Sequence, residues 1–508
     1  MKIERKKNAI RGTATGMVLQ IVNILVPFVI RSIFIREIGI EYAGLDNLFK
    51  SILQVLNLTE LGVGSALVFN MYKPISEGDD NKICALMKLY KTYYRVIGII
   101  ILLIGVAITP FLRNLIKGDI PSDLNLYILY YLNLGATVFS YWLFSYKNAI
   151  LNAYQRVDII NIVSIAVNLT KYVLQIVSIF VFRNYYIYLI INLAFQLVLN
   201  ISTAIVTNRL FPGYRPIGAI DKEEKHRINT MVRDMFTAKV GGVVLTSVDT
   251  IVISSFLGLK LLGIYNNYYH ILTALFAFFM VLYNACRAGV ANELIVENNE
   301  KKVRDFYRLT FIVFFFMNIC VSNMLNLYQP FMKLWMGSKY LLDDSSVVLL
   351  CLYFVSFEIP VFWSMYKDAA GAWKQDRFRP LIGALVNLIV NIILVNIIGI
   401  NGVIISTIIS EVLVCIPWLL YTLKISVLPL KIGEVVKKIS LYLFCITAAG
   451  AGSYYVCRML QVNGIKELVF KLFVSILISV GLWCLLFWRT EEFKDSLGLF
   501  KRVIKRSH

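Results

Sequence analysis

The feature that most constrains this chain is a succession of apolar runs, each about 20 residues long, separated by short polar connections. About 20 apolar residues in a helix cross the hydrocarbon core of a bilayer, so each run predicts one membrane span. The predicted spans are 13–35, 45–71, 92–112, 124–146, 158–182, 185–207, 235–257, 263–286, 307–332, 345–366, 380–398, 401–423, 438–460 and 467–488. We therefore predict an all-α polytopic membrane protein with about fourteen transmembrane helices.

The composition agrees with this interpretation and excludes other classes of protein. Hydrophobic residues make up 58% of the 508 residues and charged residues only 16%, which is outside the usual balance of a soluble domain. The net charge of +20 lies in short clusters between apolar runs, a pattern that argues against nucleic-acid binding. The eight cysteines show no metal-ligand spacing, so we expect neither a metal site nor a cofactor.

The distribution of basic residues predicts the orientation. If the N-terminus is cytoplasmic, most of the 51 Lys and Arg residues fall in cytoplasmic connections, as the positive-inside rule requires. We expect both termini to face the cytoplasm, with the protein in a bacterial cytoplasmic membrane. The external loops are short and leave no room for a catalytic domain, so we expect a transporter and no enzyme. No GxxxxGK[ST] loop is present, which leaves passive transport or transport driven by an ion gradient or the membrane potential.

The chain repeats itself at a shift of 219 to 220 residues. IGIEYAGLDNLFKSIL matches LGLKLLGIYNNYYHIL, PFL matches PFM, YKNA matches YKDA, and VNL matches VNL. These pairs begin at Ile38 and Leu257, Pro110 and Pro330, Tyr146 and Tyr366, and Val167 and Val386. Because each half holds an even number of spans, we expect an axis along the membrane normal to relate the halves, with the substrate site between them.

The repeat predicts two homologous six-helix bundles in parallel orientation, followed by two added helices. The expected divisions are an N-terminal lobe at 1–211, a cytoplasmic connection at 212–234, a C-terminal lobe at 235–430, two additional transmembrane helices at 431–490, and a basic amphipathic cytoplasmic tail at 491–508.

One segment resembles a known family. The stretch IREIGIEYAGLDNLFKSILQVLNLTELGVGSALVFNMYKPISEGDDNKI, residues 35–83, resembles the second-helix region of bacterial polysaccharide repeat-unit flippases of the Wzx type. These belong to the multidrug/oligosaccharidyl-lipid/polysaccharide (MOP) exporter superfamily, whose two six-helix bundles, often with two added helices, match the predicted organisation. The resemblance implies an oligosaccharide on a polyprenyl diphosphate, undecaprenyl diphosphate in bacteria, flipped from the cytoplasmic to the outer leaflet for O-antigen, capsule or similar polysaccharides. Implied partners are this glycan, membrane lipids, and a polymerase or glycosyltransferases of the same pathway.

Such a substrate needs a cationic cavity, and four basic residues within or beside the spans are candidates. Arg31 lies near the external end of the first span and Lys50 near the external start of the second, so the two charges can meet at one level. Lys171 lies near the middle of the fifth span, and Lys239 near the cytoplasmic start of the seventh. We predict that all four bind substrate; snorkelling and structural ion pairing stay open as alternatives.

Four acids are also predicted within spans. Asp249 aligns within one residue of Arg31 through the repeat, which allows an ion pair between the lobes. Glu60, Glu358 and Glu411 are likewise deep in their spans. Acids at such depth either carry a coupling proton or sodium ion or neutralise buried charge, and both interpretations stay open.

Two other functions compete with the flippase hypothesis. An ion-coupled multidrug or organic-cation exporter of the same superfamily needs an acidic or apolar cavity, which the Arg and Lys candidates disfavour. A membrane glycosyltransferase or polysaccharide polymerase needs a large external loop with catalytic carboxylates or a metal site. The short external loops disfavour that alternative.

Overall fold

The structure is a computed structural model, and its described residues are 5–60, 62–459 and 464–506. Within these ranges, the side chains outside the description are those of 5–7, 9, 10, 59, 234, 235, 237–241, 245, 246, 288 and 499–506. All regular structure in the described residues is helical. The prediction of an all-α polytopic membrane protein is therefore confirmed.

The chain forms two compact units, Met1–Gly263 and Ile264–His508, here named the N-terminal unit and the C-terminal unit. The helices that lie in or begin in the N-terminal unit are α1 Arg5–Glu37, α2 Ile40–Leu56, α3 Val63–Glu77, α4 Asp80–Ile108, α5 Leu126–Trp142, α6 Tyr146–Ala153, α7 Val157–Phe182, α8 Tyr185–Leu210, α9 Lys222–Leu257 and α10 Leu259–Val296, with 3-10 turns at Asn57–Glu60 and Thr109–Leu115.

The C-terminal unit holds most of α10 and the helices that follow it. These are α11 Asn299–Met336, α12 Asp344–Ala369, α13 Trp373–Asp376, α14 Arg379–Ile398, α15 Ile400–Ser410, α16 Ile416–Ser426, α17 Ile432–Met459, α18 Ile465–Phe487 and α19 Glu491–Arg506, with a 3-10 turn at Ser338–Tyr340 and a π-helical turn at Glu411–Cys415.

Eleven helices of the described chain are long and apolar enough to cross a membrane. They correspond to eleven of the fourteen predicted spans. The second predicted span is broken into α2 and α3, and the fourth is the 17-residue α5. The seventh lies within α9, in which Gly242–Leu257 is an apolar segment of the described residues. The count of fourteen therefore stays a prediction.

The break in the second span is a specific local structure. After α2, Asn57–Glu60 forms a 3-10 turn, and Gly62 then takes a left-handed backbone with φ of 93° before α3 begins. Glycine adopts this conformation without the steric cost that a Cβ atom imposes. The turn interrupts an apolar run and brings Glu60 to the junction of the two helices.

The helices of the N-terminal unit pack mainly around α7 and α8. α1 packs along α7, α7 along α8, and α5 against both α4 and α8, while the short α6 contacts α3, α4, α7 and α8. α9 packs on α2 and α3. α9 thus lies in the N-terminal unit, and the lobe boundaries predicted from the repeat stay a prediction.

In the C-terminal unit, a buried polar layer fastens the two added helices α17 and α18 to α11. The Asn326 amide nitrogen lies 2.9 Å from the hydroxyl of Ser453 and 2.9 Å from that of Ser475. The Asn318 amide donates to the Ser479 carbonyl at 2.9 Å. Small polar residues let helices approach closely and hydrogen-bond in an apolar surrounding, so this layer holds the three helices in one register.

Candidate functional site

A partly buried carboxylate on α2 organises the first part of the site. Asp46 and Lys50 are one helical turn apart and therefore share a face of the helix. The Lys50 Nζ lies 2.6 Å from the Asp46 Oδ2, and their side chains are 62% and 13% exposed. The Tyr185 hydroxyl, at the start of α8, donates to the Asp46 Oδ1 at 3.2 Å. Asp46 is thus fixed from two helices while the Lys50 ammonium stays accessible.

Arg31 approaches the same carboxylate from α1. Its Nη2 donates to the Gly263 carbonyl at 3.4 Å, and its charge interacts with Asp46 and with Tyr188 of α8. The side chain is half-buried. Arg31 therefore belongs to the surroundings of Asp46.

Lys171 completes the group from α7. Its Nζ lies 4.9 Å from the centroid of the Tyr172 ring, a cation–π distance. Its charge interacts with that of Lys50, which also acts on Tyr172. Lys171 and Lys50 therefore present like charges to one region.

The structure thus brings three of the four predicted cations together. We name Arg31, Lys50, Lys171 and the central Asp46 the cationic cluster. The cluster draws on three helices and carries three positive charges and one negative charge. Three tyrosines stand beside it, namely Tyr172, Tyr185 and Tyr188. The group can bind an anion through charge-assisted hydrogen bonds, and the tyrosines add aromatic faces with polar ends.

Two further candidates, Lys239 and Asp249, lie on α9, and the described contacts do not place either of them in the cationic cluster. The Lys239 side chain lies outside the described side chains. Asp249 is 5% exposed and lies in the N-terminal unit with Arg31. The predicted ion pair between Asp249 and Arg31 stays a prediction.

Glu60 lies apart from the cationic cluster, at the break between α2 and α3. Its carboxylate accepts a hydrogen bond from the Tyr94 hydroxyl. Tyr90 stacks on Tyr94 with ring centroids 4.3 Å apart, and its hydroxyl lies close to Gly64 together with the Glu60 carboxylate. Glu60 thus lies among tyrosines and accepts a hydrogen bond from one of them. This arrangement fits a structural acid as well as an acid that binds a coupling ion.

Glu358 and Glu411, the two acids of the C-terminal unit, have different surroundings. Glu358 is 1% exposed and accepts a hydrogen bond from the Tyr283 hydroxyl at 2.7 Å. Glu411 is 3% exposed, begins the π-helical turn, and interacts with Arg379 and Cys415. The second oxygen of Glu411 has no hydrogen-bond partner among the described residues. π-Helical turns are frequent at functional sites, which keeps Glu411 a candidate for ion coupling.

Sequence analysis missed Asp46 and the tyrosines beside the cluster. A signal for Asp46 existed, because an acid four residues before a lysine is the spacing of a helical ion pair. No comparable signal pointed to Tyr185, which reaches Asp46 from a helix 139 positions later in the chain.

Comparison with known proteins identifies the family. Residues 9–285 match the family model of polysaccharide biosynthesis proteins, which is more than half of the chain. The chain belongs to the polysaccharide biosynthesis protein family. No curated protein matches it significantly.

Solved structures agree with this family at the level of the fold. The chain is similar to the lipid II flippase MurJ in an inward closed conformation, with 16% identity, a TM-score of 0.67, and coverage of 94% of this chain and 99% of that one. A MATE multidrug resistance transporter of the MOP superfamily, inward-facing, matches with 15% identity, a TM-score of 0.62, and coverage of 78% and 93%. A MOP transporter from Pyrococcus furiosus, whose binding pocket is described as having reverse polarity, matches with 18% identity, a TM-score of 0.52, and coverage of 82% and 95%. At the level of the fold, the predicted resemblance to transporters of the MOP superfamily is therefore confirmed.

Proposed function

We propose that this protein is a flippase for oligosaccharide repeat units linked to polyprenyl diphosphate. It would move them from the cytoplasmic to the outer leaflet of the bacterial cytoplasmic membrane for surface polysaccharide synthesis. The observation that carries the proposal is the grouping of three cations: Arg31 and Lys50 both interact with Asp46, and Lys171 interacts with Lys50. A diphosphate carries several negative charges, and several cations in one group bind it better than any single one.

The surroundings of the cluster support a lipid-linked sugar. The family is that of polysaccharide biosynthesis proteins, and one similar structure is a lipid II flippase. Tyr172 and Tyr188 are half-buried beside the cluster, so part of each ring can contact a sugar, whereas Tyr185 is buried and stacks on Tyr188 with ring centroids 6.2 Å apart. A purely hydrophobic drug would need none of the three cations.

The ion pair within the cluster suggests how substrate is released. Asp46 holds Lys50 when no anion is present, so an arriving diphosphate competes with a carboxylate for the same ammonium. When the substrate leaves, Asp46 pairs with Lys50 again, so the Lys50 ammonium is not left without a partner. We propose alternating access as the transport cycle, with Asp249, Glu60, Glu358 or Glu411 binding a proton or sodium ion.

The test replaces the cations and compares surface polysaccharide at equal protein level. Arg31→Gln and Lys171→Gln should each reduce surface polysaccharide by about tenfold, as expected for the loss of a charge-assisted hydrogen bond. The control is Lys339→Gln, because Lys339 makes a similar contact, 4.7 Å from the Tyr340 ring centroid, outside the cluster. Unchanged polysaccharide in both cluster variants would contradict the proposal.

The alternative function is ion-coupled export of organic cations, which the buried acids Glu358 and Glu411 favour. Under that alternative, Glu358→Gln and Glu411→Gln would abolish resistance to cationic drugs in cells that express the protein. Under the flippase proposal, expression confers no drug resistance that depends on these acids. Drug-resistance assays with both variants therefore separate the two functions.

A further inference from the structure

Lys147 is a buried lysine that the cationic cluster does not use. It lies on α6, is 5% exposed, and its Nζ donates to the backbone carbonyl of Tyr214 at 3.3 Å. No described acid lies within ion-pair distance of this ammonium. A buried charge is costly unless a partner compensates it. The charge of Lys147 therefore has no compensating acid among the described residues.

Two further cations lie beside Lys147 instead of a compensating acid. The Nζ atoms of Lys91 and Lys147 each lie 5.6 Å from the centroid of the Tyr146 ring. The charges of Lys91 and Lys147 repel one another, and Arg95, one turn after Lys91 on α4, also acts on Tyr146. We name Lys91, Arg95 and Lys147 the α4–α6 basic group.

The acids of this region are engaged elsewhere. The Asp80 carboxylate accepts a hydrogen bond from the Tyr214 hydroxyl at 2.7 Å. The Glu224 carboxylate pairs with Lys82 at 3.0 Å. Neither of these contacts involves Lys91, Arg95 or Lys147, so neither acid is seen to compensate the α4–α6 basic group.

The internal repeat supplies a comparison within the same chain. At a shift of 220 residues, Lys147 corresponds to Lys367, which is also buried, at 9% exposed. The Lys367 Nζ is neutralised by Asp368 at 2.9 Å and by Asp376 at 3.3 Å. The lysine is therefore buried in both repeats, and in the C-terminal unit two carboxylates pair with it.

Both carboxylates are replaced in the N-terminal unit. At the same shift, Asn148 stands where Asp368 stands, and Arg156 stands where Asp376 stands. Arg156 itself pairs with Asp158 at 3.0 Å. The N-terminal repeat thus has the buried lysine without the two acids, which is the arrangement expected where the counter-ion comes from outside the chain.

The positions of Lys91 and Arg95 indicate what carries that counter-ion. Arg95 is exposed and Lys91 half-buried, so an anion can reach them from the surface of α4. The next turns of α4 expose Val96, Ile99 and Leu103, which suit an apolar chain. This end of α4 is the end that the predicted topology places in the cytoplasm. A head group with a lipid tail satisfies both features.

We propose that the α4–α6 basic group binds the phosphate-bearing head group of a lipid in the cytoplasmic leaflet. Lys91 and Arg95 contact the phosphate oxygens, and Lys147 adds its charge from the buried side. The group is separate from the cationic cluster, and the inference goes beyond the proposed function because any lipid whose phosphate head group has a net negative charge satisfies it. The source is either a polyprenyl diphosphate or an anionic phospholipid of the bilayer.

The test measures lipid binding to the purified full chain in neutral detergent by native mass spectrometry. Every sample carries Arg31→Gln and Lys171→Gln, so that the cationic cluster does not bind the diphosphate probes. The probes are geranylgeranyl diphosphate, phosphatidylglycerol, phosphatidylcholine and inorganic diphosphate. The double variant Lys91→Gln with Arg95→Gln should lose bound phosphatidylglycerol or geranylgeranyl diphosphate by about tenfold or more, as expected for two lost charge-assisted hydrogen bonds. Lys147→Met should lose the same lipid severalfold. The control Lys73→Gln, an exposed lysine already paired with Glu77, should bind as the chain with only those two background substitutions does.

The probes also separate the sources of the phosphate. Displacement of phosphatidylglycerol by geranylgeranyl diphosphate identifies the polyprenyl lipid, and retention of phosphatidylglycerol identifies the bilayer phospholipid; either supports the proposal. Equal lipid binding by the double variant would overturn it, as would binding of inorganic diphosphate without lipid, or equal binding of phosphatidylcholine. Because Arg31 and Lys171 are already replaced in every sample, failure here is distinguishable from failure of the proposed function, which is tested on those two residues.

Discussion

Gly44 and Gly263, which the repeat places in equivalent positions, make equivalent contacts. A Cβ atom built on Gly44 would lie 2.1 Å from the carbonyl oxygen of Leu259, and one built on Gly263 would lie 2.6 Å from the carbonyl oxygen of Ile40. Ile40 and Leu259 are themselves related by the same shift of 219 residues. The start of α2 and the start of α10, which both lie in the N-terminal unit, thus contact each other reciprocally.

The first prediction concerns this reciprocal contact. Gly44→Ala and Gly263→Ala should each destabilise the protein by about 1–3 kcal/mol, because the new methyl group must displace backbone. Thermal unfolding in detergent measures the loss. Gly135→Ala is the control, since Gly135 lies in α5 with nothing within 4 Å of its added Cβ, and it should not lower the melting temperature. If both variants melt at the same temperature as the unaltered protein, the close contact between α2 and α10 does not contribute to stability.

The second prediction concerns the acid of the cationic cluster. Asp46→Asn keeps an oxygen that accepts from Tyr185 but removes the negative charge beside Lys50. Binding of geranylgeranyl diphosphate should tighten by about fivefold, since one charge contact at 4 Å in water is worth about 1 kcal/mol. Isothermal titration at low salt measures the affinity. Asp123→Asn is the control because Asp123 also accepts from a tyrosine, Tyr42, at 2.7 Å; weaker binding by Asp46→Asn would contradict the role given to Asp46.

The third prediction concerns the hydrogen bond between Tyr283 and Glu358. Tyr283→Phe should lower the free energy of unfolding by about 1–3 kcal/mol, because it leaves a buried carboxyl oxygen without its donor. Glu358→Gln should cost less, since the Gln oxygen still accepts from Tyr283. Tyr307→Phe serves as the control, because the buried Tyr307 hydroxyl has no partner among the described residues. Equal melting temperatures for Tyr283→Phe and Tyr307→Phe would refute the contribution of this bond.

The fourth prediction contrasts the two buried lysines of the repeat. Lys367→Met should destabilise the lipid-free protein by about 1–3 kcal/mol, because it removes the cation that pairs with the buried Asp376 and with the half-buried Asp368. Lys147→Met should be neutral or stabilising under the same conditions, since it removes a buried charge that no described acid compensates. Thermal unfolding of both variants after delipidation compares them, and a larger loss for Lys147→Met would reverse the argument.

The pH dependence of this contrast has a definite sign. Burial, with a further contribution from the charge of Lys91, lowers the pKa of Lys147 below its ordinary 10.5. The folded protein therefore holds this proton less tightly than the unfolded chain, and its stability rises as the pH climbs from the lowered pKa toward 10.5. The advantage of Lys147→Met over the unaltered chain should be largest at neutral pH and shrink at alkaline pH. Melting curves at neutral and alkaline pH measure this change.

Much of the fold was predictable because long apolar runs leave a chain few alternatives. α7 and α8 follow the predicted spans closely, since nothing polar enough to end a helix interrupts their runs. The break between α2 and α3 was not predicted, because the run through Asn57–Glu60 is still apolar enough to count as one span. Hydropathy averages over about 20 residues and does not register a turn of four.

The cations of the candidate site could be predicted from the sequence, but the residues that contact them could not. A lysine as deep as Lys171 is expensive in hydrocarbon, so its depth alone marks it as a candidate. Its neighbours depend on tertiary packing that no local pattern encodes. Tyr185 contacts Asp46, and Lys147 approaches Tyr214, only because distant helices meet. The repeat aligns Lys147 with Lys367, but only the distances in the structure show that Lys367 pairs with two acids and that Lys147 pairs with none of the described acids.

The interrupted helix at Asn57–Glu60 has a consequence for hydration. Where α2 ends and α3 begins, backbone carbonyl and amide groups lose their partners within the helix. Lipid tails offer no hydrogen bonds, so such groups are tolerated at membrane depth only beside protein or water. The break therefore marks a stretch of the second span from which lipid is excluded. If water reaches it from the membrane surface, the Glu60 carboxylate lies on a wetted path into the N-terminal unit.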